Sequence, residues 1–398
     1  MSLLKSLNSL SRRLIFLLVA FLYCSPAIFA QQLSDQAKIS ILTCGQGEDL
    51  YAIFGHTAIR IVDPLNRFDK VYNYGTFDFS QSHFYLRFLM GNLEYALTVT
   101  DFDDFLEEYT SENRSIYEQV LTFDTGLLNR IYDSLEMNSL TENRGYLYDF
   151  FEDNCTTRVL GLLYAQAGDQ GYDDLFNHPS GSTFRQELRQ YIHHDPWLSL
   201  GINLLLGKQS DIKISNYQSY FLPANLMNGL AKTDWVGESK LLFQGKETFE
   251  RPGDFAGPMV FFWLLLVLYV AEILLLKTTR QTSDRFDLFI FTVTGILGLL
   301  FLFLRLFSDH PSFQSNMNIL WANPLNLIFV IALVSGWKKL ATVYLVVYAT
   351  LIFFCLVTWN RMPQQLPLDI MPLLALMAFR TVQRLFVFVK KPEKSLVS

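Results

Sequence analysis

Two residues far apart in the chain have the chemistry of a nucleophile and its base. Cys155 stands in "YDFFEDNCTTRVLGLL", where an acidic, polar stretch gives way to an apolar run with helical spacing. His56 stands in "FGHTAIRI", behind a glycine at the head of a strand-like segment. A cysteine at a helix N-terminus meets unpaired backbone N–H groups and a partial positive charge, and both favour the thiolate. Glu152 and Asp153 oppose this by adding negative charge, so the thiolate needs a cation beside it, and a protonated histidine would serve. The same N–H groups suit an oxyanion formed when a carbonyl is attacked. From the residues alone two other readings of Cys155 stay open: a small buried hydrophobe, or half of a disulfide with Cys44. A lone histidine such as His56 more often serves a core than a reaction.

The remaining candidates are weaker. Cys24 lies in the N-terminal segment and Cys355 in the apolar run "YATLIFFCLVTW". His83 reads as a surface turn, and His178 and the pair His193–His194 as loop residues. Adjacent ligands such as His193, His194 and Asp195 do not have the usual spacing of a metal site. No Gly-rich phosphate loop, CxxC pair or HExxH is present, so no metal or cofactor is expected. The net charge of −6 argues against nucleic acid as a partner, because phosphate binding needs a basic face.

The elements that must position these residues fall into two parts. Over 398 residues the chain is 51% hydrophobic and carries 35 Phe, too apolar for one soluble domain. Residues 1–30 have the basic, apolar and small-residue regions of a secretory signal peptide, with cleavage expected after Ala30. Residues 31–257 then form an exported domain. In it, "QAKISILTCG", "TAIRIVDP" and "KVYNYGTFDF" read as strands. Leu127, Leu128, Ile131 and Leu135 mark one helix, and Val159, Leu160 and Leu163 mark another that starts at Asn154–Cys155 and stops at Gly168.

After "RPGDFAGP" five apolar stretches follow, at about 259–276, 287–307, 319–336, 340–359 and 367–387. The third and fifth are interrupted by Asn323, Asn326, Arg380 and Arg384. With the first domain outside, "KTTRQTSDR", "GWKK" and "KKPEK" all fall inside, as the positive-inside rule requires. The expectation is a five-helix bundle over 258–390 and a cytoplasmic tail over 391–398. The outside loop "SDHPSFQSNMNILWANPLN" is unusually polar. His310 and Asn318 in it are candidates for a lipid head-group or acceptor site, with an ordinary solvated loop as the alternative.

Taken together, "FGHTAIRI", "VYNYGTFDF" and "YDFFEDNCTTR", with "LLLGKQSD" and "YFLPANL" beyond them, carry a resemblance. The chain resembles the Bacteroides-type bacterial lipoprotein N-acyltransferases, the Lnb family, over nearly its whole length. The His-before-Cys order is similar to that of permuted papain-like domains of the NlpC and lecithin:retinol acyltransferase kind. The resemblance implies an α+β permuted papain-like exported domain, a catalytic Cys155–His56 pair and residence in the bacterial inner membrane with the catalytic domain in the periplasm. It further implies a membrane phospholipid as acyl donor and a diacylated lipoprotein as acceptor. Papain-like sites use a third polar residue on the strand after the histidine; Asn73 is the candidate, with Asp63 behind it. Tyr74, Asn154, Arg158 and Asp211 are candidate supporting residues. The alternatives are a membrane-tethered cysteine hydrolase, either peptidase or cell-wall amidase, and a membrane-anchored binding protein without catalysis.

Overall fold

Residues 32–168, 172–246, 257–276 and 280–390 are described by the computed structural model. The expected signal peptide and the 391–398 tail lie outside them.

The three expected strands form and pair in sequence order. They are β1 (Lys38–Cys44), β2 (His56–Asp63) and β3 (Phe68–Thr76). β4 (Glu94–Asp101), β5 (Ile116–Val120), β6 (Gly145–Leu147) and β9 (Lys240–Phe243) complete an antiparallel sheet of order β6-β4-β3-β2-β1-β5-β9. β1 is apolar on both sides and buried from Ile39 to Cys44, so both faces of the sheet must be covered. On one face, Ile39, Ile41, Ile59 and Ile61 pack against the helices marked out by apolar spacing, α3 (Thr125–Ser139) and α4 (Cys155–Ala167). On the other face, Leu42, Cys44, Ala58 and Val71 meet Phe105 and Tyr109 of α2 (Phe102–Ser111). The short α1 (Phe84–Met90) lies between β3 and β4.

A second layer contains α5 (Phe184–Ile192), α6 (Pro196–Leu205), α7 (Pro223–Leu230) and the small β7 (Pro179–Thr183)–β8 (Lys213–Ser215) ribbon. Here Phe151, Phe184, Phe221 and Leu222 make a separate core below the start of α4. The apolar region then supplies α8 (Pro258–Leu276), α9 (Arg280–Phe307), α10 (Asn326–Val334), α11 (Lys338–Thr358) and α12 (Met371–Lys390).

Among the described residues three stretches are long and apolar enough to cross a membrane: Asp284–Phe307, Lys338–Arg361 and Leu368–Phe388. The expected third stretch is broken. Asn323 and Pro324 interrupt it and leave α10 with nine residues, about 14 Å at a helical rise. Its irregular part is sheltered by α9, where a side chain at Gly298 would collide with the Ala322 carbonyl and the Pro324 nitrogen. Asn326 is buried and gives its amide to Thr294 at 2.7 Å, while the Tyr348 hydroxyl donates to the Trp321 carbonyl at 2.7 Å. The arginines of the fifth stretch are neutralised in the same way. Arg380 donates to Asp287 at 2.6 Å, and Arg384 pairs with both Asp284 and Asp287. Charges in an apolar bundle persist when they are paired in this manner.

The outer polar loop is only partly solvated: Asp309, Pro311 and Gln314 are exposed, and its other polar side chains turn inward. Asn316, Asn318 and His310 are buried. Asn316 and Asn318 donate to the carbonyls of Leu204 and Leu205 at the end of α6, and Asn318 accepts from the Trp321 indole at 2.9 Å. Gln364 reaches the Leu206 carbonyl at 3.0 Å. These bonds cap backbone groups at a helix C-terminus and join the exported domain to the bundle. Asp211 belongs to the same junction: it takes two bonds from buried Arg185 at 2.8 and 3.0 Å and one from the Gln365 amide. Asp211→Ala would leave the Arg185 charge without its carboxylate, a loss of roughly 3 kcal/mol by analogy with broken buried pairs. Its thermal midpoint in detergent should fall by several degrees, while the reactivity of Cys155 stays that of the parent.

Candidate active site

Asn154 organises the nucleophile's helix. Its side-chain oxygen accepts from the Thr156 and Thr157 amides at 2.8 and 2.9 Å, and the Thr157 hydroxyl returns a bond from the Asn154 amide, a capping box. Its Nδ2 ties the cap to the carbonyls of Phe150 and Phe221. Cys155 is thereby fixed as the first helical residue. The turn before it, Asp149–Asp153, is closed by two backbone bonds.

His56 opens β2, and its ring lies against Tyr109, on the face of the sheet opposite to the one α4 covers. Thiol and imidazole therefore meet around the end of the strands. Gly75 makes the meeting possible: a Cβ there would stand 3.3 Å from Cys155 Cβ and 3.6 Å from His56 Cε1. Its φ of +93° lies where glycine is favoured, beside a bulge between Asn73 and Thr76. His56 Nε2 is 2.5 Å from Asn73 Oδ1. An amide oxygen only accepts, so Nε2 carries the proton and Nδ1 is left to the thiol.

The electrostatics follow from this contact. Burial pushes the Cys155 thiol up, but the imidazolium charge of His56, its hydrogen bond, the Thr57 amide and the Thr156 hydroxyl bring it down to about 7. Burial pushes His56 down, and the thiolate more than offsets this, leaving the imidazole raised. The two shifts describe one ion pair. Cys44 sits next to this centre, opposite His56 in the β1–β2 ladder, yet it is a free, buried thiol held protonated by burial. Cys155 is also free, so the disulfide alternative is not realised.

The family models for the Lnb N-terminal periplasmic domain and the Lnb transmembrane domain match residues 26–186 and 250–392. The chain belongs to the Lnb family. It is a membrane protein with a periplasmic domain of sheet and helices followed by a helical region. No curated protein and no solved structure matches it.

In this Lnb chain Cys155, His56, Asn73 and Asn154 converge. Asp63 does not: it lies at the far end of β2, where it binds Ser34 and Asn66 and closes the turn to β3. Arg158 sits one turn into α4, paired with Asp153 at 2.6 and 2.8 Å, its guanidinium 3.6 Å from the centre of the Tyr146 ring. Tyr74 packs edge-on to Tyr146, and its hydroxyl accepts from Asn138 at 2.8 Å, so it buttresses the site from behind. Asp211 and Asn318 are in the junction described above. His310 is joined to the site indirectly. Its Nδ1 faces Asp149 Oδ2 at 3.1 Å and its Nε2 faces the Phe88 carbonyl at 2.8 Å, so the loop after α9 holds the turn that precedes Cys155.

Tyr146 is the residue that sequence reasoning missed. It is buried, its hydroxyl has no hydrogen-bond partner among the described residues, and that hydroxyl would lie 4.0 Å from a Cβ on Gly75. Burial and the nearby thiolate raise its pKa, so the phenol remains a proton donor. Only the β4–β6 pairing brings it there, opposite Tyr95, and β6 has just three residues.

Alkylation of Cys155 by iodoacetamide in the full chain should rise with pH around a midpoint near 7. The thiolate gains as pH passes its lowered pKa, and it loses its partner when His56 deprotonates at higher pH. His56→Ala removes the cation and leaves burial to act alone. The midpoint should then move above the ordinary thiol value, with the rate at pH 7 down roughly tenfold or more. A midpoint still near 7 in that variant would exclude the ion pair.

Proposed function

We propose that the chain is a lipoprotein N-acyltransferase of the bacterial inner membrane, working from the periplasmic side. It would move an acyl chain from a phospholipid through a Cys155 thioester to the α-amino group of a diacylglyceryl-cysteine. One observation carries the reading: a thiol, an imidazole and an amide oxygen stand in a row, and the turn that precedes the thiol is held by a membrane loop through His310 and Asp149. The row suits covalent acyl transfer, and its attachment to an apolar bundle suits substrates that reside in a bilayer. The circuit from a histidine strand to a cysteine helix is consistent with a permuted papain-like domain.

In the first half-reaction the Cys155 thiolate attacks the ester carbonyl carbon of the phospholipid. The new C–S bond forms as the carbonyl π pair moves to oxygen. The Tyr146 hydroxyl, with the Cys155 amide at the helix start, is suited to bind that oxyanion. The pair then returns, the C–O ester bond breaks, and the leaving alkoxide takes the proton from His56, releasing a lysophospholipid. In the second half the neutral α-amine attacks the thioester. The C–N bond forms, the C–S bond breaks, and the amine's proton passes to His56, which restores the thiolate–imidazolium pair. Asn73 keeps the ring turned so that Nδ1 serves both steps.

The test is mass spectrometry of a lipoprotein N-terminus from cells with the protein, without it, and with Cys155→Ser or His56→Ala. Triacylated peptide should appear only with the parent chain. Unchanged forms in all four strains would reject the transferase, and water-released fatty acid with no N-acyl product would mark a hydrolase. Tyr146→Phe should slow acylation of Cys155 by about 100-fold, the usual effect of losing one oxyanion donor, without moving the pH midpoint of alkylation.

A further inference from the structure

The helix α1 has the sequence FYLRFLM, and none of its residues is buried. Its Tyr85 and Leu86 are exposed, Tyr85 by 75%, and so are Phe79, which packs on Phe84, and Tyr51, which packs on Phe79. A ridge of this kind is costly in water and marks a surface that meets something apolar. Its position says what. The C-terminal end of α1 is bonded to the periplasmic end of α9: Ser308 Oγ donates to the Leu89 carbonyl at 2.6 Å and the Asp309 amide to the Met90 carbonyl at 2.9 Å. Leu306 and Phe307, the last two residues of α9, are exposed and apolar too. The ridge thus continues the lipid-facing surface of a membrane-crossing helix.

The ridge also leads to the thiol. Phe79 contacts Phe77 and Phe84 at 4.8 Å each, and Tyr51 contacts Phe77 at 5.7 Å. Phe77 contacts Tyr95 at 5.1 Å, and Tyr95 is the cross-strand partner of Tyr146 beside Cys155. Phe77 is two residues past Gly75, so Gly75 to Phe79 spans at most about 14 Å of chain. The carboxylates beside this row are held on its outer side: Asp78 accepts from Ser80, and Asp49 accepts from the Tyr51 hydroxyl at 2.9 Å.

We propose that the ridge dips into the periplasmic leaflet and guides the acyl chain of the donor phospholipid along Phe79, Phe77 and Tyr95 to Cys155. The reading rests on the acyl-transfer function above. The occupant is the donor's chain because that chain becomes covalently joined to Sγ, and an apolar row starting at Sγ is where it must lie. Arg87, exposed on the same helix, stands at head-group level for the lipid phosphate.

The full-length protein is placed in phosphatidylethanolamine–phosphatidylglycerol vesicles containing a phospholipid with a diazirine in its acyl chain. After irradiation, peptide mass spectrometry should find adducts on segments carrying Tyr51, Phe79 and Tyr85–Leu86. Adducts confined to α8–α12 would overturn the proposal. In a second arm, Tyr85→Glu with Leu86→Glu changes two exposed positions. Acylation of Cys155 from vesicle phospholipid should fall at least tenfold, with iodoacetamide alkylation unchanged in rate and midpoint; an unchanged acylation rate would overturn the guiding role. Ridge adducts on a wild-type protein whose Cys155 never becomes acylated would reject the transferase and leave the lipid contact standing. Acylated Cys155 without ridge adducts would do the reverse.

Discussion

Everything at the candidate site depends on one ion pair formed around the end of a sheet. His56 belongs to one face and α4 to the other, so thiol and imidazole can approach only where the strands stop and no side chain intervenes. Gly75 supplies that gap, in a backbone conformation that other residues rarely adopt. Burial alone would keep Cys155 protonated, as it does Cys44, whose burial outweighs the pull of the Arg114 charge. Two of the acidic residues before Cys155 are also answered, Asp153 by Arg158 and Asp149 by His310, while Glu152 is exposed to solvent. Negative charge that would have opposed the thiolate is thereby spent on holding the turn.

The junction between the two parts of the protein is built from backbone carbonyls capped by buried amides and from the Arg185–Asp211 pair. Such groups are expensive to bury unpaired, so the contact is specific in register. It sets α1 and the Asp149–Asp153 turn against the periplasmic end of α9. The turn that precedes Cys155 is thereby fixed to the end of a helix long and apolar enough to cross a membrane. The candidate site and the apolar bundle are parts of one arrangement.

Much of this was legible in the chain. Alternating and helical apolar patterns identified β1, β2, β3, α3 and α4, because burial on one face leaves a period that survives in sequence. Asn154 ahead of an apolar run announced a helix start. The polar outer loop was read less well. As sequence, His310, Asn316 and Asn318 look solvated or ligand-seeking; the α6 carbonyls opposite the two asparagines, and Asp149 and the Phe88 carbonyl opposite His310, explain their burial. The third apolar stretch passed for a span because composition does not register that Asn323 and Pro324 break it against Gly298. Asp211 looked like a site residue because nothing local pointed to Arg185.

By itself the sequence determined the residue types available for chemistry, the helix that begins at Cys155, the strand that begins at His56 and the division into an exported and an apolar part. These are local properties, written in spacing and capping. The tertiary structure alone decided which partners meet. It selected Asn73 over Asp63 for the imidazole, since strand pairing sends Asp63 to the opposite end of β2. It also brought the unpartnered Tyr146 hydroxyl from a three-residue strand to the thiol. Contacts between strands and across a domain junction join residues with no periodic relation in the chain, and so leave no local signal to read.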